Sequence, residues 1–176
     1  LVGEIRDVDT ARIAIQSALT GHFVLSSLHG TDAVAALHRL LDMGIEAFLV
    51  ASAIVGVVSQ RLLRKMCDNC KEPYTPGAEE LAVFRQHSGG SDKTVFYHGK
   101  GCSYCSNTGY RDRIGVYELL RITPEVRRLI VGWATTEELR RLAVAQGMRT
   151  MLREAMQMVD DDVTTIPEVV RTLFAH

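Results

Sequence analysis

The sequence has no excess of either charge: 20 Lys and Arg stand against 21 Asp and Glu, for a net charge of −1. No global field collects nucleic acid, and no basic patch interleaved with aromatics takes its place, so nucleic acid is not an expected partner. No apolar run is long enough to cross a bilayer. The most lipid-like stretch, residues 47–58, is bounded by Glu46 and by Gln60-Arg61, whereas a span needs about 20 apolar residues; it reads as a buried core helix. The opening Leu1-Val2-Gly3-Glu4 carries an acid and no long apolar stretch, so no secretory leader is expected. Internal repeats are absent too. A length of 176 residues, with 47% of them apolar, allows one medium domain or two small ones with a real core.

The first third or so of the chain alternates between strand-like and helix-like patterns. Leu1-Val2 reads as the end of a buried strand. Residues 9–19 have helical spacing, with Ala11, Ile15 and Leu19 on one side and Thr20-Gly21 as the stop. Residues 23–28 read as a short, mostly apolar strand buried on both faces. Thr31-Asp32 then caps a helix with Val34, Leu37, Leu40 and Leu41 at helical intervals, ended by Gly44. A further apolar helix is expected from about Glu46 into the basic stretch 61–65. This order predicts an α/β fold. From Cys67 to Tyr117 the texture changes to a loop-rich segment with Pro73, Pro76 and all four cysteines. It reads as an insertion with little core of its own. Helical patterning is expected from Glu118 onward, with a helix start at Thr136 and a last short helix opened by Thr165 and Pro167. Residues 160–162, three aspartates in a row, read as a solvated turn.

The cysteines form two CxxC pairs, Cys67–Cys70 and Cys102–Cys105. Two residues between thiolates let both sulfurs reach one tetrahedral ion, and a polar segment with little core gains from such a staple. Redox pairs, disulfides and four unrelated thiols are the alternatives. Two knuckles flanking one loop-rich insertion favour a structural, four-thiolate Zn²⁺ site with no open position for catalysis.

Gly3-Glu4-Ile5-Arg6-Asp7 falls where a buried strand emerges at its C-terminal edge, the edge at which open α/β sheets bind ligands. A carboxylate there can position water or magnesium beside phosphates, though acids after strands are commonly plain solvated turns. His22 and His29 bracket the 23–28 strand, and His29 lies at the same edge. A histidine there can donate to a γ-phosphate, or simply cap and pack.

The order of these segments is what carries meaning. VGEIRD (2–7), ALTGHFVLSSLH (18–29), SQRL (59–62), the paired CxxC and RIGVYEL (113–119) together resemble the secretion ATPase superfamily, in its type II secretion and type IV pilus-extension branch. The resemblance covers nearly the whole chain. It implies the C-terminal part of a RecA-like domain, with Gly3-Glu4 as the end of a Walker B segment and Glu4 as the catalytic carboxylate. It implies a histidine box from Thr20 to His29, with His29 sensing the γ-phosphate and His22 a secondary member. Gly3, Arg6, Gln60 and Arg61 join the expected nucleotide-binding set. The expected segments are 1–66 as ATPase core, 67–117 as tetracysteine zinc subdomain and 118–176 as C-terminal helical subdomain.

Members of this branch are cytoplasmic homo-hexamers, peripheral to the inner membrane, that use Mg-ATP and dock on a platform protein of a secretion or pilus machine. This sequence departs in Ser27 and Gly30, where threonines are common, and in Asp112, where glycine is usual. It contains no G-x-x-x-x-G-K-[ST], so the cradle for the β- and γ-phosphates is missing and these residues alone are expected not to hydrolyse ATP. Exposed apolar edges around the strand ending at Val2, and self-association, are expected to follow. Two other readings stand beside the motor: a zinc-stabilised protein-interaction module without catalysis, and a CxxC redox protein.

Overall fold

Side-chain caps set where six of the eight described α-helices begin. In the computed structural model, which describes residues 1–174, α1 (Val8–Leu19) opens at Asp7, whose carboxylate accepts from Thr10 N. Asp32 caps α2 (Ala33–Asp42) through Ala35 N. Thr123, Thr135, Thr150 and Thr165 do the same for α5 (Pro124–Val131), α6 (Thr136–Ala145), α7 (Met151–Asp160) and α8 (Ile166–Leu173). Each such cap contributes about 1 kcal/mol. Thr135 forms a reciprocal box with Glu138, one residue before the start expected at Thr136. At the other end of α1 the chain turns through Gly21 at φ +97°, a region that costs glycine nothing.

The chain divides into two compact units, Leu1–Ser59 with Glu118–Arg149, and Gln60–Tyr117 with Thr150–His176. The division follows two separate cores and crosses the chain-order segments expected from the sequence. In the first unit, α1, α2, α3 (Ala47–Ala53), α5 and α6 surround a core that includes Ala11, Ile15, Leu37, Ile45, Val50, Val126, Ile130 and Leu139. Residues 2–5 run parallel to residues 25–27 beside it. Val2 N donates to Leu25 O at 2.9 Å, Ser27 N to Gly3 O at 3.0 Å and Ile5 N to Ser27 O at 2.9 Å. The pairing is short enough to register as a single parallel bridge, Glu4 to Ser27.

Two sequence expectations need correcting here. Residues 23–28 are not buried on both faces. Val24 and Leu28 pack on the core, while Phe23 is 78% and Leu25 54% exposed, because helices cover only one side of this short ribbon. Nor does the apolar run continue as helix to residue 65. It stops at Ala53, Ile54 turns extended (ψ 133°) and β1 (Gly56–Met66) follows. Valines at 55, 57 and 58 around Gly56 favour the pleated chain over another helical turn. Beyond residue 118, likewise, the chain stays extended in β4 (Tyr110–Arg121) before α5 begins. β1 and β4 pair with each other. Ile122 N bonds to Val55 O at one end and Cys67 N to Gly109 O at the other, so the strands are antiparallel and β4 uses one residue more than β1. The left-handed Asp112 (φ +64°) lies within that longer strand.

The second unit has more core than its composition promises. β2 (Lys71–Tyr74) pairs antiparallel with β3 (Phe96–Gly99), with Lys71 opposite Gly99. Phe84 of α4 (Ala78–His87) meets Phe96 edge to face at 5.0 Å. Both join Leu63, Val116 and the inner faces of α7 and α8, from Met151 to Val169, in one cluster. The expected solvated turn at 160–162 is instead tied down. Lys93 Nζ lies 2.9 Å from Asp162 Oδ1, and Ser91 Oγ donates to Asp160 Oδ1 at 2.5 Å.

At the centre of this unit Glu168, fully buried, accepts from Arg64 N, Nε and Nη2 at 2.9, 2.9 and 2.6 Å and from Arg171 Nε and Nη2 at 2.8 and 2.7 Å. Arg64 also lies over the Tyr110 ring at 4.1 Å, and Tyr110 Oη meets Thr165 Oγ1 at 2.6 Å. Burial pushes the Glu168 carboxyl upward, but the Arg171 and Arg64 donors outweigh it and hold the group at about 2. A carboxyl lowered in this way stabilises the fold above its unfolded pKa and loses that contribution as the pH falls from about 4.5 toward 2. Urea unfolding across that window should therefore show a loss of roughly 2 kcal/mol, discounted for solvent around the arginines. Glu168→Gln should flatten the window and lower stability at pH 7.

Candidate functional site

Glu4 stands where the 2–5 segment leaves its pairing with residues 25–27. Oε2 accepts from Arg6 Nε at 2.8 Å and lies 2.7 Å from Arg6 Nη2. His29 Nε2 lies 2.7 Å from Oε1. That approach lacks the alignment of a hydrogen bond, and Oε1 is shielded from solvent with no hydrogen-bond donor of its own. The Arg6 hydrogen bond holds the Glu4 carboxyl below its usual range against the opposing effect of burial, with the charges of His29 and Arg39 adding to it. Glu4 is thus an ionised carboxylate with one oxygen saturated and one facing a histidine.

Around it the chain is shaped by backbone contacts. Ser26 Oγ and Ser27 Oγ donate to Gly3 O at 2.9 and 3.4 Å, beside the Ser27 N bond. A Cβ at Gly3 would meet open space, so the surface beside Glu4 is free. His29 is 79% exposed at its side chain. His22 sits apart from this pair, at the end of α1, with Nδ1 3.2 Å from Ser17 O and from Thr20 Oγ1. The structure therefore gathers Gly3, Glu4, Arg6 and His29 and leaves His22 at a helix terminus. Gln60 (exposed) and Arg61 (half-buried) follow each other along β1 in the second unit. Sequence reasoning missed Arg39, whose charge acts on Glu4 from α2. Nothing in its helical spacing separates it from a solvated surface arginine.

The four cysteines do meet. One sulfur from each of Cys67, Cys70, Cys102 and Cys105 lies within 4.8 Å of the other three, and all four thiols are free. Sulfur separations are 4.0 Å for Cys67–Cys102, 3.8 Å for Cys70–Cys105 and 3.7 Å for Cys102–Cys105. A tetrahedral centre with metal–sulfur bonds of about 2.3 Å has sulfur–sulfur edges of about 3.8 Å. The separations between knuckles match those within a knuckle, which fits one four-ligand site rather than two dithiols. The donor set can hold a metal ion.

Backbone amides favour thiolate here. Burial raises the Cys105 thiol, but the N–H groups of Cys102 and Gly109, each 3.3 Å from its sulfur, outweigh burial and bring it down to about 6. The Asn69 amide, 3.3 Å from the Cys102 sulfur, lowers that thiol. Cys70, surrounded by sulfur, is pushed up to about 12, chiefly by burial. A positively charged ion held by these four sulfurs would displace such a proton.

Two glycines make the knuckles possible. A Cβ on Gly99 would run into the carbonyl of Gly109, and a Cβ on Gly109 into the carbonyl of Gly99. Gly109, at φ +75°, also presents its N–H to Cys105 and its C=O to Cys67 N.

An α/β unit bearing a carboxylate–histidine pair at a parallel pairing, with a tetracysteine cluster in the unit beside it in sequence, describes a class, and comparison identifies it. The chain belongs to the type II/IV secretion system protein family, whose model matches residues 1–171. The resemblance drawn from the motifs is thereby borne out. The type IV pilus assembly ATPase PilB of Thermus thermophilus is 39% identical over 170 residues, 97% of this chain and 19% of that protein. The type II secretion system ATPase E of Vibrio cholerae is 39% identical over 97% of this chain and 33% of its own length. The type II secretion system protein E of Dickeya dadantii is 43% identical, again over 97% of this chain and 33% of its own length. The chain thus spans a fifth to a third of the length of these relatives.

Among solved structures, the Yersinia pseudotuberculosis ATPase DotB aligns with a TM-score of 0.63 at 19% identity, over 98% of this chain and 36% of that one. The pilus retraction motor PilT with bound ADP aligns at 0.62 and 22% identity, over 96% and 37%. At these identities the likeness establishes a shared fold. Among the described residues no helix is long and apolar enough to cross a membrane.

Gly109→Ala should lower the unfolding free energy by about 2–3 kcal/mol, because it adds left-handed strain to a backbone clash. Urea titration, with thiol reactivity followed in parallel, would check that the loss is accompanied by faster modification of the cysteines.

Proposed function

We propose that this chain is part of an ATPase subunit that couples ATP hydrolysis to type II protein secretion or type IV pilus assembly. The observation that carries the reading is the approach of His29 to the unsaturated oxygen of Glu4, 2.7 Å away, in a chain of this family. Glu4 orients the attacking water and accepts its proton, a role for which an ionised carboxylate with one oxygen left without a hydrogen-bond donor is suited. Arg6 holds the other oxygen and so keeps the carboxylate in one orientation. His29, exposed beside it, donates to the terminal phosphate. Gly3 leaves the surface beside that phosphate unobstructed. His22, Gln60 and Arg61 remain assigned to the nucleotide-binding set on their motifs. A magnesium ion bound with ATP would neutralise phosphate charge, with Glu4 as the carboxylate beside it.

The cysteine cluster holds Zn²⁺ in this reading. Four thiolates with no open position suit a structural ion, and the sulfur separations suit its bond length. The subunit works as a cytoplasmic homo-hexamer at the inner membrane, docked on a platform protein. Residues 1–66 belong to its RecA-like core, 67–117 to the zinc subdomain and 118–176 to the helical subdomain. The phosphate loop G-x-x-x-x-G-K-[ST] does not occur in these residues, so this chain by itself turns over no ATP.

In the full-length subunit, Glu4→Gln should reduce kcat at least about a hundredfold while nucleotide binding persists; wild-type turnover in that variant would refute the role of Glu4. For the metal, elemental analysis of unchelated protein should return about one zinc per chain, with thiols that react only after chelation or denaturation. Cysteines oxidised in pairs and no zinc would favour a redox protein instead.

A further inference from the structure

His29 is held in place from outside its own surroundings. Its side chain is 79% exposed, so beyond its approach to Glu4 little packing fixes the ring, and its position depends on the turn that carries it. That turn, residues 29–32, runs directly into α2, and the start of α2 is gripped from two distant parts of the sequence. Ala33 N donates to Glu118 Oε1 at 3.1 Å, and Glu118, on β4, is 2% exposed. Asp32 accepts from Ala35 N through Oδ1 at 2.9 Å and from Arg140 Nη2 of α6 through Oδ2 at 2.9 Å. The side chains of Arg140 and Asp32 are only 29% and 24% exposed, which screens their ion pair far less than a surface pair is screened. Slack in the turn is removed by Gly30, where a Cβ would lie 2.9 Å from the Ala36 Cβ. All of these residues belong to the first unit.

We propose that Arg140 and Glu118 are positioning residues for His29: acting through the start of α2, they set where the histidine stands relative to Glu4 and so tie phosphate sensing to the placement of α6. This rests on the reading of Glu4 and His29 as a nucleotide site. Glu118 fixes the first free N–H of α2, and Arg140 fixes the cap carboxylate three residues after the histidine. Releasing either lets the turn rotate about the packed Gly30. A misplacement of about 1 Å at a reacting group costs up to about a hundredfold in rate. The linkage runs both ways: a ligand that favours one position of His29 favours the matching position of α6 by the same free energy.

The test is a double-mutant cycle in the full-length ATPase subunit. Arg140→Ala should lower kcat about tenfold with KM for ATP changed less than about twofold, and Arg140→Lys should recover part of the loss. Asp32→Ala should produce a similar fall, and the double variant should be no worse than either single one. Unchanged kcat in Arg140→Ala, or additive losses in the double variant, would overturn the proposal. Glu4→Gln, assayed alongside, separates the two claims: full activity there defeats the reading of the site, whereas an inactive Glu4→Gln with a fully active Arg140→Ala defeats only the positioning role. In this chain itself, amide exchange at residues 30–35 should speed about tenfold in Arg140→Ala while the rest of the unit keeps its protection. Uniform acceleration would mean a general stability effect and would also overturn the proposal.

Discussion

The antiparallel pairing of β1 with β4 is the constraint on which the other features depend. The first cysteine knuckle leaves directly from the end of β1, and the second leads through residues 106–109 into β4. Their separation is therefore fixed by the bond between Cys67 N and Gly109 O and by the crossing of Gly99 with Gly109. Farther along β4, Glu118 is delivered to the start of α2. On β1, Arg64 is delivered to Glu168. Two carboxylates buried at 2% and 0% exposure thus sit on or against this ribbon, each satisfied by donors from an element far away in sequence. Removing one partner of such a buried group is far more damaging than its modest net contribution suggests.

The two sites use ionised groups in different ways. At the cysteines, backbone N–H groups and an asparagine amide are aimed at sulfur, so negative charge is favoured where the four sulfurs could hold a cation. At Glu4, one arginine fixes the carboxylate and the other oxygen is left without a donor. The first arrangement closes a centre and suits a staple. The second leaves one carboxylate oxygen without a donor beside an exposed histidine.

Much of this was legible in the residues themselves. Helix starts were readable because Asp and Thr caps are local signals, and the cysteine cluster because CxxC spacing reports ligand geometry directly. Glu4 and His29 could be paired because both fall at strand ends that meet in a parallel arrangement. The misreadings share a cause. An apolar run such as 47–58 has no period that separates buried helix from strand, and its change at Ile54 depends on β1 finding β4. The core under the cysteine-rich segment was invisible because Phe84 and Phe96 complete it with Met156 and Ile166, from far along the chain. Glu168 reads as an ordinary first-turn acid of an amphipathic helix. Arg140 reads as a solvated surface charge. Their partners lie about a hundred residues away, where local pattern carries no information.

The interleaving of two cores along one chain has a consequence in time. As the polypeptide leaves the ribosome, residues 60–117 emerge well before α7 and α8, the helices that complete their core. Leu63, Phe84 and Phe96 must therefore wait uncovered while residues 118–149 finish the first unit. The cysteine knuckles need only residues 67–109 to come together. Like the β2–β3 pairing between them, they can close early, and a metal captured there would hold the waiting segment in register until its covering helices arrive.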